Sequence, residues 1–111
     1  MKVSDLIQLG FFKLVNDGNN TDREISGIYC CDLLSIAMGK MPAGSAWVTV
    51  MSNINTLAVA SLADAACVIL AESGHLDATG LAKAKEQGIT VFETELPVFD
   101  AALAIYKALN A

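Results

Sequence analysis

Three short stretches concentrate the residues that could do chemistry. Cys31-Asp32-Leu33-Leu34-Ser35, Ser52-Asn53-Ile54-Asn55 and Glu93-Thr94-Glu95 each follow an apolar run and lead towards a segment of helical composition. Short hydroxyl, amide and carboxylate side chains at such junctions accept hydrogen bonds from the free N–H groups of a first helical turn. Those same N–H groups bind phosphates and carboxylates. Asp32, Ser35, Thr49, Ser52, Asn53, Asn55, Thr94 and Glu95 are therefore the candidate ligand-binding residues. For Asp32, Ser52 and Asn55 the competing role is helix capping, worth about 1 kcal/mol each. The two roles are compatible, because a cap can also orient a ligand.

Catalysis has few footholds. No G-x-x-x-x-G-K-[ST] phosphate loop occurs: Gly39-Lys40 runs into Met41 and lacks the upstream glycine. G-x-G-x-x-G and G-x-S-x-G are absent too. The sole histidine, His75, sits in the turn Ser73-Gly74-His75 and reads as a solvated loop side chain. Glu72, Glu93 and Glu95 lie just past strand ends. Paired carboxylates there would serve acid–base or metal chemistry, but the pattern reads as a solvated rim. Cys30 and Cys31 are adjacent, without C-x-x-C spacing, and Cys67 brings the thiols to three, short of the four an ordinary iron–sulfur cluster needs. They read as reduced, mostly buried thiols. The expectation is a protein that is not an enzyme and has no cofactor or metal.

The elements that would position these residues follow from periodicity and turn chemistry. Val3 to Gly10 reads as an opening helix capped by Ser4, and Phe11–Val15 as a strand. Asn16-Asp17-Gly18-Asn19-Asn20 is a strong turn, since Asn and Gly tolerate left-handed backbone. Ile25–Cys30 is a second strand, and Asp32 caps a helix from Leu33 to Gly39. Trp47–Met51 and Thr56–Ala63 form the next strand and helix. Cys67–Ala71 is continuously apolar, as in a strand buried on both faces. Thr79–Gln87 is a helix ended by Gly88, Ile89–Phe92 a strand, and Pro97 opens a last helix that turns Val98, Ala101, Ala102, Ile105 and Leu109 inward. Strand and helix thus recur about four times at roughly 20-residue intervals, the spacing of α/β units. The fold class is α/β: one domain over residues 1–111, a largely parallel sheet and helices on both faces.

Composition narrows the partners. Residues of the AVILMFWYC set make up 54% of the 111 and charged residues 17%, more apolar than an ordinary domain, which points to a subunit interface. The net charge is −5, with 12 acidic against 7 basic residues and no basic cluster, so neither nucleic acid nor a membrane surface is an expected partner. No apolar stretch of about 18 residues would span a bilayer. Met1-Lys2-Val3-Ser4-Asp5 lacks the apolar core of a signal peptide, which makes the cytoplasm the expected location.

Three segments in order, Cys31-Asp32-Leu33-Leu34-Ser35-Ile36-Ala37-Met38-Gly39, Ala46-Trp47-Val48-Thr49-Val50 and Asn55-Thr56-Leu57-Ala58-Val59-Ala60, resemble the DRTGG domain family, which is similar to the N-terminal domain of HPr kinase/phosphorylase. The resemblance runs from about Lys2 to Ala111. It departs from the family where Asp22-Arg23 continues as Glu24-Ile25-Ser26-Gly27 and where Cys31 replaces a glycine before Asp32. It implies an α/β appendage that regulates or dimerises, not a catalytic unit, and it maps no ligand residue onto this chain. Stand-alone relatives of this length resemble proteins encoded near iron-only hydrogenase and electron-transfer components.

The functional expectation is a non-catalytic regulatory or interaction module. It would bind a small anionic metabolite or nucleotide at the Ser52–Asn55 junction, form a homodimer, and associate with a larger metabolic or hydrogenase/redox enzyme. One alternative is a homodimerising docking module without a ligand. Another is a redox or metal accessory protein using Cys30, Cys31 and Cys67.

Overall fold

Apolar runs four or five residues long, separated by polar turns, are too short for stable isolated helices and pair as strands instead. In the computed structural model, which describes residues 1–111, ten elements result. They are α1 (Val3–Leu9), β1 (Lys13–Asn16), β2 (Gly27–Cys30), α2 (Leu34–Lys40), β3 (Ser45–Thr49), α3 (Ile54–Leu62), β4 (Cys67–Leu70), α4 (Ala78–Gln87), β5 (Val91–Glu93) and α5 (Val98–Leu109). The five strands form one sheet in the order β1-β5-β4-β3-β2. β2 to β5 run parallel, and β1 closes the far edge antiparallel to β5. The chain is thus a single α/β domain with a mostly parallel mixed sheet.

Successive parallel strands lie side by side, so right-handed crossovers put α2, α3 and α4 on one face. There Ala37, Leu57, Ala60 and Ala84 cover Trp47, Val68, Leu70 and Val91. α5 leaves β5 for the other face and joins α1, so that Val3, Leu6, Ala101 and Ile105 pack on Ala46, Val48, Cys67, Ile69 and Phe92. Both cores share β3 and β4, every residue of which is buried, as the continuous apolar runs require. The connection after β4 therefore departs to one face and that after β5 to the other. Ligands in open α/β sheets bind where connections diverge in this way, outside the carboxyl ends of the strands. No helix is long and apolar enough to cross a membrane.

Local details depart from the sequence reading. α1 is entered at Lys2, not capped by Ser4; the Asp5 carboxylate accepts the Lys2 N–H at 2.8 Å. β1 starts at Lys13 instead of Phe11 and carries a register shift between Leu14 and Asn16. α2 has Leu33 at its N-cap and no side-chain cap, and α3 is capped by Asn53, with Asn55 already inside the helix. Strand β5 reaches Glu93, one residue past the expected end.

Candidate functional site at the diverging strand ends

β4 ends at Leu70, and the chain must turn sharply to reach α4. It does so through Glu72 (φ 57°) and Ser73 (φ 62°), two consecutive non-glycine residues in the left-handed region. Such backbone costs of order 1 kcal/mol per residue and persists only where surrounding contacts hold it. Here the partner is the segment after β5. The Glu72 N–H donates to the Leu96 carbonyl and the Ser73 N–H to the Thr94 carbonyl, each at 2.9 Å. Gly74 follows because a Cβ there would lie 3.2 Å from the Ala71 oxygen and 3.4 Å from the Val50 oxygen.

The turn delivers His75 to the last residue of β5. Glu93 is only 7% exposed, and a buried carboxylate must find donors. Its Oε1 lies 2.7 Å from His75 Nδ1, and its Oε2 accepts the Leu76 N–H at 3.1 Å. The His75 side chain is otherwise 71% exposed. A carboxylate accepts only, so Nδ1 is assigned as the protonated nitrogen, and Nε2 of the neutral ring carries the free lone pair. The carboxylate thus orients the ring and fixes its tautomer.

His75 and Glu93 border a cleft of about 510 Å³, within the range of small-molecule sites. Ser73, Thr94 and Glu95 continue its polar wall, while Phe11, Phe12 and Leu96 make its apolar one. Lys13 completes the lining. It stands opposite Glu93 in the antiparallel register, so the two side chains leave the same face of the sheet. Its ammonium makes no ion pair.

The eight residues expected to bind a ligand divide between two places. Thr94 and Glu95 line this cleft. Asp32, Ser35, Thr49, Ser52, Asn53 and Asn55 lie at or just beyond the ends of β2 and β3, and none lines any of the three principal cavities. Asp32 does not cap α2. Its Oδ1 accepts the Thr49 hydroxyl at 2.8 Å and the Val50 N–H at 2.9 Å, fastening the exit of β2 to that of β3. Asn53 Oδ1 accepts the Asn55 and Thr56 N–H groups at 2.9 and 3.3 Å, so its acceptor is spent on α3. Thr56 Oγ1, one turn in, is buried without a partner.

Two readings of the sequence need correction. Glu93 is a buried strand residue tied to His75, not part of a solvated rim. His75 is the exposed loop side chain expected from the sequence, and it holds Glu93 as a partner besides. The thiols are not mostly buried: Cys30 is exposed, Cys31 intermediate and only Cys67 buried. Cys67 faces the α1/α5 core, where burial pushes its thiol up to about 12. Partial desolvation by its neighbours, with a smaller contribution from Asp32, also raises Cys30 above the ordinary thiol value although its side chain stays exposed. No group of three or more His, Cys, Asp or Glu side chains is placed to hold a metal ion.

No protein-family model and no curated protein matches the chain. The resemblance to DRTGG domains therefore rests on the order of its sequence segments.

Proposed function

We propose that this chain is a regulatory binding module, without turnover of its own, that holds a small anionic metabolite or nucleotide in the cleft between the ends of β4 and β5 and the start of β1. The observation that carries the reading is the His75–Glu93 pair, anchored by a buried carboxylate at the one place where the sheet's connections diverge. Lys13, without an ion pair, supplies a donor for an anion, the His75 ring borders it, and Phe11 and Leu96 offer apolar surface to its carbon part. The site thereby moves from the Ser52–Asn55 junction to the neighbouring strand ends, keeping Thr94 and Glu95. In this reading the module works in the cytoplasm, as a homodimer docked to a larger metabolic or hydrogenase/redox enzyme.

A thermal-shift screen with phosphorylated sugars, acetyl phosphate, nucleotides and nicotinamide cofactors tests it. A ligand at 100 times its Kd contributes about 2.7 kcal/mol, which raises Tm by roughly 10 °C in a domain of this size. The shift is expected to fall away in Lys13→Ala. A panel without any shift would contradict the reading.

A second reading, a homodimerising docking module without a ligand, has its own support. α2 and its cap expose Leu33, Ile36 and Met38, between 43% and 55% accessible, although its inward Ala37 is fully buried. An apolar helix surface of this kind marks an interface. Light scattering distinguishes the outcomes: a dimer that loses mass on Met38→Lys supports this interface, and an 11.7 kDa species at micromolar concentration opposes it.

A further inference from the structure

We infer that His75 Nε2 is a phosphoryl acceptor, and that the anion taken by the cleft is a small metabolite carrying a single phosphoryl group in an activated linkage, such as an acyl phosphate. The inference rests on the reading of this cleft as the ligand site and names the ligand's chemical class and its consequence.

The geometry has the parts such a step needs. The nucleophile must present a lone pair in a fixed direction. Glu93 Oε1, 2.7 Å from Nδ1 and on a carboxylate itself held by the Leu76 N–H, favours the tautomer with its proton on Nδ1, which leaves the lone pair of the neutral ring on Nε2. The ring sits at the cleft wall on a turn pinned by two backbone bonds to Thr94 and Leu96. Lys13, across the ladder from Glu93, offers a positive charge to the phosphoryl oxygens.

Charge limits the donor. Against Lys13 stands the exposed Glu95, and Glu93 offsets the charge that His75 gains. A nucleoside triphosphate would bring several negative charges that this lining does not neutralise, and the chain has no phosphate loop to cradle them.

The step balances without a redox partner. The Nε2 lone pair forms a bond to phosphorus as the bond from phosphorus to the acyl oxygen breaks, and that electron pair leaves on the carboxylate product. The ring becomes an Nε2-phosphoimidazolium, its positive charge balanced by Glu93, and the Nδ1 proton stays where it was. The modified histidine is a second state of the module.

The test is incubation of the full chain with acetyl phosphate or phosphoramidate, followed by intact-mass measurement and peptide mapping. One phosphoryl group is expected on His75, labile in acid and stable in alkali, and absent from His75→Asn. Glu93→Gln is expected to slow the labelling roughly tenfold or more, because the ring loses its fixed tautomer. Nitrogen chemical shifts of His75 should then show mixed tautomers where the wild type shows one. Wild-type Tm is read alongside with acetyl phosphate. A Tm shift without a mass gain overturns the phosphoryl acceptor and leaves the cleft as a binding site. Neither shift nor mass gain with either donor overturns both. A mass gain that persists in His75→Asn overturns the assignment to His75.

Discussion

His75 Nδ1 lies 2.7 Å from Glu93 Oε1, joining a ring that is 71% exposed to a carboxylate that is 7% exposed. The pair is asymmetric: Glu93 depends on its donors, whereas water can replace much of what His75 contributes. Glu93→Ala is expected to destabilise the fold by roughly 2 kcal/mol, leaving the His75 ring and the Leu76 N–H without their acceptor. His75→Ala is expected to cost about 1 kcal/mol or less, since its exposed side is already solvated. Urea unfolding of the two variants checks this, and equal losses would contradict the asymmetry.

The turn that carries His75 has little room. In Gly74→Ala the new Cβ would meet two backbone carbonyls, at 3.2 and 3.4 Å, neither of which is the end of a flexible side chain. A loss of about 1 kcal/mol is expected, as for other overpacked sites. Ser73→Gly, at φ 62°, removes the left-handed penalty and should be neutral or slightly stabilising. Thermal midpoints of the two variants should move in different directions or by clearly different amounts.

At the opposite end of the sheet, Arg23 grips Asp64 through two nitrogens at 2.9 Å. The hydrogen bond from Arg23 holds the Asp64 carboxyl below its ordinary value of 3.8. A depressed carboxyl contributes stability above its unfolded pKa, about 3.9, and loses it as pH falls through the lower folded value. Asp64→Asn should therefore be less stable than wild type at pH 7, by under about 1 kcal/mol for so exposed a pair. The gap should close as pH is taken below about 3.9. A gap that is unchanged down to acid would contradict the assignment.

The cysteines should separate by access. With a thiol reagent in native buffer, no more than Cys30 and Cys31 are expected to react, and Cys67 only after unfolding. Because the Cys67 thiol is raised from 9.0 to about 12, it should also weaken the fold in alkali. Its contribution is intact below the unfolded thiol value, about 8.5, and is lost progressively as pH rises towards the folded one. Cys67→Ala should lose less stability than wild type over that window, which pH-dependent urea melts will show.

The sequence made the α/β alternation legible because the strands are short, largely apolar runs set off by polar turns. Cys67–Leu70 was readable as a doubly buried strand from composition alone. What the local pattern lacked was the strand order and the face taken by each connection. Ser52-Asn53-Ile54-Asn55 looks like a ligand junction, yet the connections after β3 and β4 depart to the same face, and Asn53 is used as a cap. Glu93 reads as a rim carboxylate because the sequence pattern ends its strand at Phe92, whereas β5 runs one residue further and buries it. His75 is the single histidine, but its distance from Glu93 in sequence hid the pairing that only parallel β4 and β5 create. The spacing Val91, Phe92, Glu93, read as one strand, would have set Glu93 on the same face as Val91 and flagged it for a partner.

The most direct test of the cleft is the chemical-shift map of backbone amides titrated with acetyl phosphate. Perturbations gathered at residues 11–13, 73–76 and 93–96 are the expected result. Perturbations gathered at residues 32–35 and 50–55, with the His75 turn unmoved, would contradict the site and return it to the ends of β2 and β3.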